Sequence, residues 1–218
     1  TGTGNKVQVE RDYEGVGAFP LVFERYYNSA PYAAPGKSIG KVWRASFDRS
    51  VVSANSSTMA AWRHDGKIFY FTLSNGNWIT SKDASVQLTQ LKDASGATAG
   101  WELKTEDDAT ETYNAGGRLV SIRARNGQVQ TYTRSDASTP ISIAPGANYV
   151  IRITDNFGSN LALIWTSAGY IASVTDPAGQ VLHYAYDSTG RLTTVTYSDG
   201  AKRTFLYNEA AYTGSNNL

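Results

Sequence analysis

Tyr186-Asp187-Ser188-Thr189-Gly190-Arg191-Leu192-Thr193-Thr194-Val195-Thr196 is the stretch that decides the fold. Gln180 to Asp187 reads as an outgoing strand, Ser188-Thr189-Gly190 as a turn, Arg191 to Ser198 as the return strand and Asp199-Gly200 as the next turn. One repeat is therefore one β-hairpin. Working outward, Trp165, Tyr186 and Tyr207 stand 21 residues apart, and the same step relates Gly158, Gly179 and Gly200, Thr154, Thr175 and Thr196, and Gly169 and Gly190. A unit this short cannot bury its own apolar face, so each copy must become stable by stacking on its neighbours. Along the Gln180 strand, Leu182, Tyr184 and Tyr186 share one side and Val181, His183 and Ala185 the other. Neither side is wholly polar, which leads us to expect a sheet covered on both faces. Gly190 and Gly200 are expected at positive φ or where a Cβ would collide.

Upstream, Thr112 to Leu119 opens an earlier copy, and Gly117 to Gly127 repeats the ten-residue step of Gly169 to Gly179. Gly127 to Gly158 is 31 residues, ten more than one repeat, so the stretch 135–149 with Pro140 and Pro145 reads as a loop insertion. Before the repeats, 5–29 reads as two strands, Ala30 to Gly40 as a loop and Trp43 to Val52 as extended. Asp65-Gly66 and Asn75-Gly76 mark hairpin turns, since both dipeptides tolerate positive φ. The expected division is an irregular β meander over 1–110 and repeats over 111–218, with helix content near zero.

Composition agrees with an all-β class: 20 glycines, 14 tyrosines and 41% hydrophobic residues in 218. Twenty basic against 19 acidic residues, with no long run of either sign, are not built to track a phosphate backbone. There is no cysteine, hence no disulfide or thiolate metal site, and no segment has the ~18 apolar residues of a membrane-spanning helix. Thr1-Gly2-Thr3-Gly4 has neither an initiator methionine nor a charged signal start, so Thr1 reads as a processing boundary.

The Tyr186 to Thr196 stretch resembles the tyrosine-aspartate repeat of Rhs proteins, teneurins and the C subunits of insecticidal Tc toxins. Tyr113 to Leu119 is similar but lacks the aspartate, and Trp165-Thr166-Ser167-Ala168-Gly169-Tyr170-Ile171 has Trp for Tyr and Tyr-Ile for Arg-Leu. Thr3-Gly4-Asn5-Lys6, Pro20 to Ser29 and Trp43 to Arg49 resemble the segment preceding the repeats in bacterial Rhs proteins. The resemblance implies an all-β spiral of hairpins forming part of a hollow cocoon around a C-terminal toxin, delivered by type VI secretion and cytoplasmic before export. It implies a structural module without catalytic, cofactor or metal residues. Its partners would be the rest of the shell, the enclosed toxin and a secretion spike or chaperone, with no nucleic acid or membrane. Open sheet edges add possible self-association. The residues expected to carry the repeat are Tyr113, Gly117, Arg118, Gly127, Gly158, Trp165, Gly169, Gly179, Tyr186, Asp187, Gly190, Arg191, Gly200 and Tyr207.

Sharper chemistry is weighed against this. Asp187-Ser188-Thr189-Gly190 looks like an aspartic-protease signature, yet other copies carry Asn114 or Thr166 at that position, and a dyad needs two carboxylates. A turn residue bonding its own backbone is the plainer reading. His64 and His183, the only histidines, lack ligand or triad spacing. Glu102, Glu106, Asp107, Asp108 and Glu111 lack calcium-loop spacing and read as a solvated loop. Arg118 and Arg191 read as cations stacking on or bridging neighbouring rungs. The alternative function is a carbohydrate-binding or adhesion module, which requires Trp43, Trp62, Trp78, Trp101 and Trp165 to present an exposed platform.

Overall fold

Leu182 and Tyr184 are buried while His183 between them and Ala185 after them are exposed, the alternation of a sheet packed on one face only. In the computed structural model, which describes residues 5–29, 38–80 and 84–207, the same period of two marks the strands Ile68–Ser74, Thr110–Asn114, Val129–Arg134 and Asn160–Trp165, and no helix occurs among the described residues. The expectation of two covered faces is thus corrected: the second face of the repeats meets solvent. The 30–37 part of the expected loop lies outside the described residues.

Two sheets form. The smaller contains β1 (Val7–Glu14), β2 (Val22–Asn28) and β3 (Trp43–Ala45), in that order. The larger is an antiparallel meander of fifteen strands in which every strand neighbours the next in sequence. Its first members are β4 (Ser50–Asn55), β5 (Thr58–Trp62), β6 (Ile68–Ser74), β7 (Asn77–Ile79), β8 (Gln87–Lys92) and β9 (Thr98–Lys104). Then follow β10 (Thr110–Asn114), β11 (Leu119–Arg123), β12 (Val129–Arg134), β13 (Val150–Thr154) and β14 (Asn160–Trp165). The last are β15 (Ile171–Thr175), β16 (Val181–Tyr186), β17 (Leu192–Thr196) and β18 (Lys202–Thr204). The sheet crosses residue 110 without a break. Trp43 to Val52 is not one extended segment: a turn at Ser46-Phe47 divides it, leaving β3 in one sheet and β4 in the other.

The large sheet is strongly curved. Ser50 of β4 bridges Arg118 beyond β10, and Val51 N donates to Gly117 O at 3.0 Å. Six strand steps in a flat sheet would separate them by about 29 Å. One source of bending is local. Register shifts recur beside Tyr113, Arg134, Trp165 and Tyr186, always at the end of an even-numbered strand, and a bulge adds bend and twist where it sits.

The small sheet fills the concave face. Phe23 packs against Phe47 and Tyr184, Phe47 against Tyr132, and Trp43 against Phe205, within one continuous core that runs from Leu21 to Val195. The consecutive strands β14 to β17 carry Leu161, Leu163, Ile171, Val174, Leu182, Leu192 and Val195 into it, all nearly inaccessible. The fold is all-β, built of consecutive antiparallel hairpins.

Candidate functional site

The ring of each late repeat makes the same bond. Trp165 Nε1 donates to Val150 O, Tyr186 OH to Ile171 O and Tyr207 OH to Leu192 O, each at 2.8 Å and each 15 residues back. Each acceptor is the first residue of the strand preceding the one that the ring lies on or, for Tyr207, follows, so the ring bonds its hairpin to the previous one. Arg134 belongs to this column. It lies 21 residues after Tyr113, sits at the same register shift, and its Nη2 donates to Leu119 O, again 15 residues back, at 3.2 Å. Sequence reasoning missed it because a cation stood where a ring was sought; the 21-residue step from Tyr113 was the available signal. Tyr113 departs from the column: its hydroxyl donates to Glu111 at 2.5 Å and accepts from Arg63 Nη1.

Asp187 serves its turn. Its Oδ1 accepts from Thr189 N, Thr189 Oγ1 and Arg191 N, and these bonds, the Arg191 amide foremost, hold its pKa below the ordinary carboxylate value. Asp155 and Asp176 accept from their turn amides in the same way. Arg191 lies over the Tyr207 ring at 5.5 Å, one rung on, whereas Arg118 is exposed.

Gly117, Gly127, Gly158, Gly169, Gly179, Gly190 and Gly200 all have φ between 70° and 86°. They divide between two rims of the sheet, Gly117, Gly169 and Gly190 on one and Gly127, Gly158, Gly179 and Gly200 on the other. One rim is crossed by residues 38–51: Lys41 N donates to Gly190 O, Ile171 N to Ser38 O, and Val51 N to Gly117 O. A Cβ on Gly117 would lie 1.7 Å from Val51 O, and one on Gly190 2.5 Å from Tyr170 OH, whereas Gly127, Gly158, Gly179 and Gly200 on the other rim have open space.

Two buried charge clusters tie the sheets together. Arg25 grips Asp12 bidentately at 2.5 and 2.8 Å, and Tyr184 OH donates to the same carboxylate at 2.8 Å. Burial works against the Arg25 charge, but Asp12 keeps its pKa above the ordinary value. The second cluster corrects the reading of the acidic stretch as a solvated loop. Glu106, Asp107 and Asp108 are exposed, but Glu111 is wholly buried, held by Arg49 and Arg63. Burial alone would raise the Glu111 pKa; Arg63, Arg49 and Tyr113 outweigh it and pull it down to about 2. Beside them His64 packs edge-on against Tyr26, 4.3 Å between centroids, and burial reinforced by Arg49 and Arg63 lowers its pKa to about 2. A neutral imidazole among arginines is a packing group. His183 is exposed on the outer face, and no cluster of metal-ligating side chains occurs among the described residues.

No tryptophan presents a platform. Trp43, Trp101 and Trp165 are buried, and Trp62 and Trp78 half-buried with their indole nitrogens enclosed.

This geometry agrees with what the chain is similar to. Residues 1–71 match the family described as a domain of unknown function (DUF6531), and residues 165–202 match the family described as RHS Repeat. The second match spans the hairpins whose rings bond 15 residues back. No curated protein matches the chain. Together the two matches support an Rhs, or tyrosine-aspartate repeat, protein.

Proposed function

We propose that this chain is a wall segment of an Rhs enclosure: a curved sheet that shields a C-terminal toxin carried by the same polypeptide until a secretion system delivers it. The observation that carries the reading is the column of inter-rung bonds from Arg134 to Tyr207. It makes each hairpin the template for the next, so the sheet lengthens by repetition while satisfying its own backbone groups. The small sheet seated on the concave face supports a role at one end of such a wall, and the work is steric, with no covalent step assigned to any residue. The producing cell's cytoplasm before export and the target cell afterwards are the compartments this reading requires.

The test begins with the coding sequence beyond Leu218, expected to hold further tyrosine-aspartate repeats and then a non-repeat end. In the native full-length protein, protease should leave that end intact while cutting it rapidly after denaturation. An end cut equally fast in both states, or the absence of further repeats, removes the proposal.

A further inference from the structure

Between the crossing segment and the covered rim lies a cleft of about 480 Å³, a size suited to small ligands. Its polar lining is lopsided. Arg44, Arg118 and Arg134 reach it, and among the described residues none has an ion-pair partner. Arg49 also lines it but is ion-paired with Glu111, which it shares with Arg63. The one carboxylate among the described lining residues, Asp48, is within electrostatic reach of Arg44 but spends its hydrogen bonds on neutral donors: Ser38 Oγ at 2.5 Å, Ala45 N at 2.9 Å and Ser38 N at 3.3 Å. Four buried polar atoms here lack a hydrogen-bond partner: Arg44 Nε and Nη1, Trp62 Nε1 and Arg134 Nε. All four are donors. Arg44 is only 3% exposed, so its unpartnered guanidinium atoms stand where desolvation is costly.

The remaining walls are apolar, chiefly Phe47, Val52, Val150 and the rings of Tyr149 and Trp165. We propose that the cleft is a binding site for a carboxylate carried on an apolar body. A single negative charge would pair the surplus cations and accept the orphaned N–H groups, while its body packs on the rings. Inorganic phosphate lacks the apolar part. Burial, with repulsion from Arg118, lowers the pKa of Arg134 to about 10, and burial lowers that of Arg44, a cost a bound anion would relieve. This reading is independent of the enclosing role. The carboxylate has two possible sources, an acidic side chain beside an apolar residue in a polypeptide, or a free aromatic acid.

The experiment follows the Trp62 indole N–H resonance, assigned through Trp62→Phe, during titration of the protein with phenylacetate, phenylacetamide, an acetylated Leu-Glu-Leu amide peptide and inorganic phosphate. Saturable shifts with phenylacetate or the peptide, about tenfold weaker with the neutral amide, are expected. Tighter binding of the peptide assigns a polypeptide source, and tighter binding of phenylacetate a free acid. Arg44→Gln should abolish the shift. Arg118→Gln, an exposed change that leaves folding intact, should weaken binding severalfold. Equal response to phenylacetate and phenylacetamide, equal affinity for phosphate, insensitivity to Arg118→Gln, or no shift with either carboxylate would overturn the assignment.

Discussion

The two rims of the large sheet use the same turn and live in different surroundings. Gly117 and Gly127 close consecutive hairpin turns at φ of 70° and 85°, so their backbones demand nearly the same freedom. Only the first is crossed by another part of the chain. A repeat therefore fixes the dihedral angle of a turn, while tertiary structure decides whether the turn is also an interface. The covered stretch begins at the β10–β11 turn; Gly76 and Gly96, earlier on the same rim, have open space. Coverage thus follows the path of residues 38–51 rather than the repeat itself.

The largest effect should come from Gly117→Ala. Its Cβ would meet a backbone carbonyl that cannot rotate away, adding overpacking to left-handed strain for about 4 kcal/mol. Gly127→Ala carries the strain alone, about 1 kcal/mol. Urea unfolding of both variants gives the difference directly. Equal losses would mean that the crossing does not hold in solution, and the contrast between the rims would collapse.

Glu111→Gln tests what fastens the crossing segment to the sheet. Removing the carboxylate leaves buried Arg63 and half-buried Arg49 around a neutral amide, at a cost of about 3 kcal/mol. Arg49 lies between β3 and β4 on the crossing segment, so losing its tie should let Val51 retreat. Gly117→Ala should then cost less in the Glu111→Gln background than in the wild type, a coupling that a double-mutant cycle reads. Strict additivity would place the fastening elsewhere.

The same cluster sets a pH profile. Glu111 has a folded pKa of about 2, below its unfolded value, so its stabilisation is present above roughly pH 4.5 and is lost as pH falls toward 2. His64 is also depressed, to about 2 from 6.5; its unfolded form takes up a proton that the folded form refuses. Stability should therefore already decline below pH 6.5, by at most roughly 2 kcal/mol down to pH 5. His64→Phe should flatten that upper limb and leave the lower one, as urea midpoints measured across the range would show. An unchanged upper limb would mean that His64 is solvated.

Much of this was legible from spacing alone. The hairpins, the turn glycines and the aspartate that bonds its own turn follow from local rules, which a sequence displays directly. What spacing hid was contact between distant segments. Glu111 looked like part of a solvated acidic loop because its neighbours Glu106 to Asp108 are; only the fold delivers Arg49 and Arg63, 62 and 48 residues away, to its carboxylate. Arg134 was overlooked because the column was defined by aromatic character, whereas the chemistry it conserves is an N–H or O–H donor at a fixed distance along the chain. The outer face of β16 looked covered because Val181 and Ala185 are apolar, although small apolar groups on a solvated face cost little.

The smallest effect tests that definition of the column. Tyr186→Phe keeps the ring against Tyr170, 5.0 Å between centroids, and removes only the donor to Ile171 O, a loss of about 1 kcal/mol. Tyr207→Phe also strands Trp43 Nε1, which donates to the Tyr207 hydroxyl at 2.8 Å, so it should cost more although Tyr207 is no more buried. If donation across the rungs is what repeats, Arg134→Met should resemble Tyr186→Phe in losing its bond to Leu119 O, offset partly by relief from burying a cation. Hydrogen exchange at the strand amides around Ile171 and Leu119 locates each loss. Loosening confined to the substituted hairpin would make the column a set of independent bonds, whereas loosening that reaches the preceding hairpin makes it the element by which one rung holds the next.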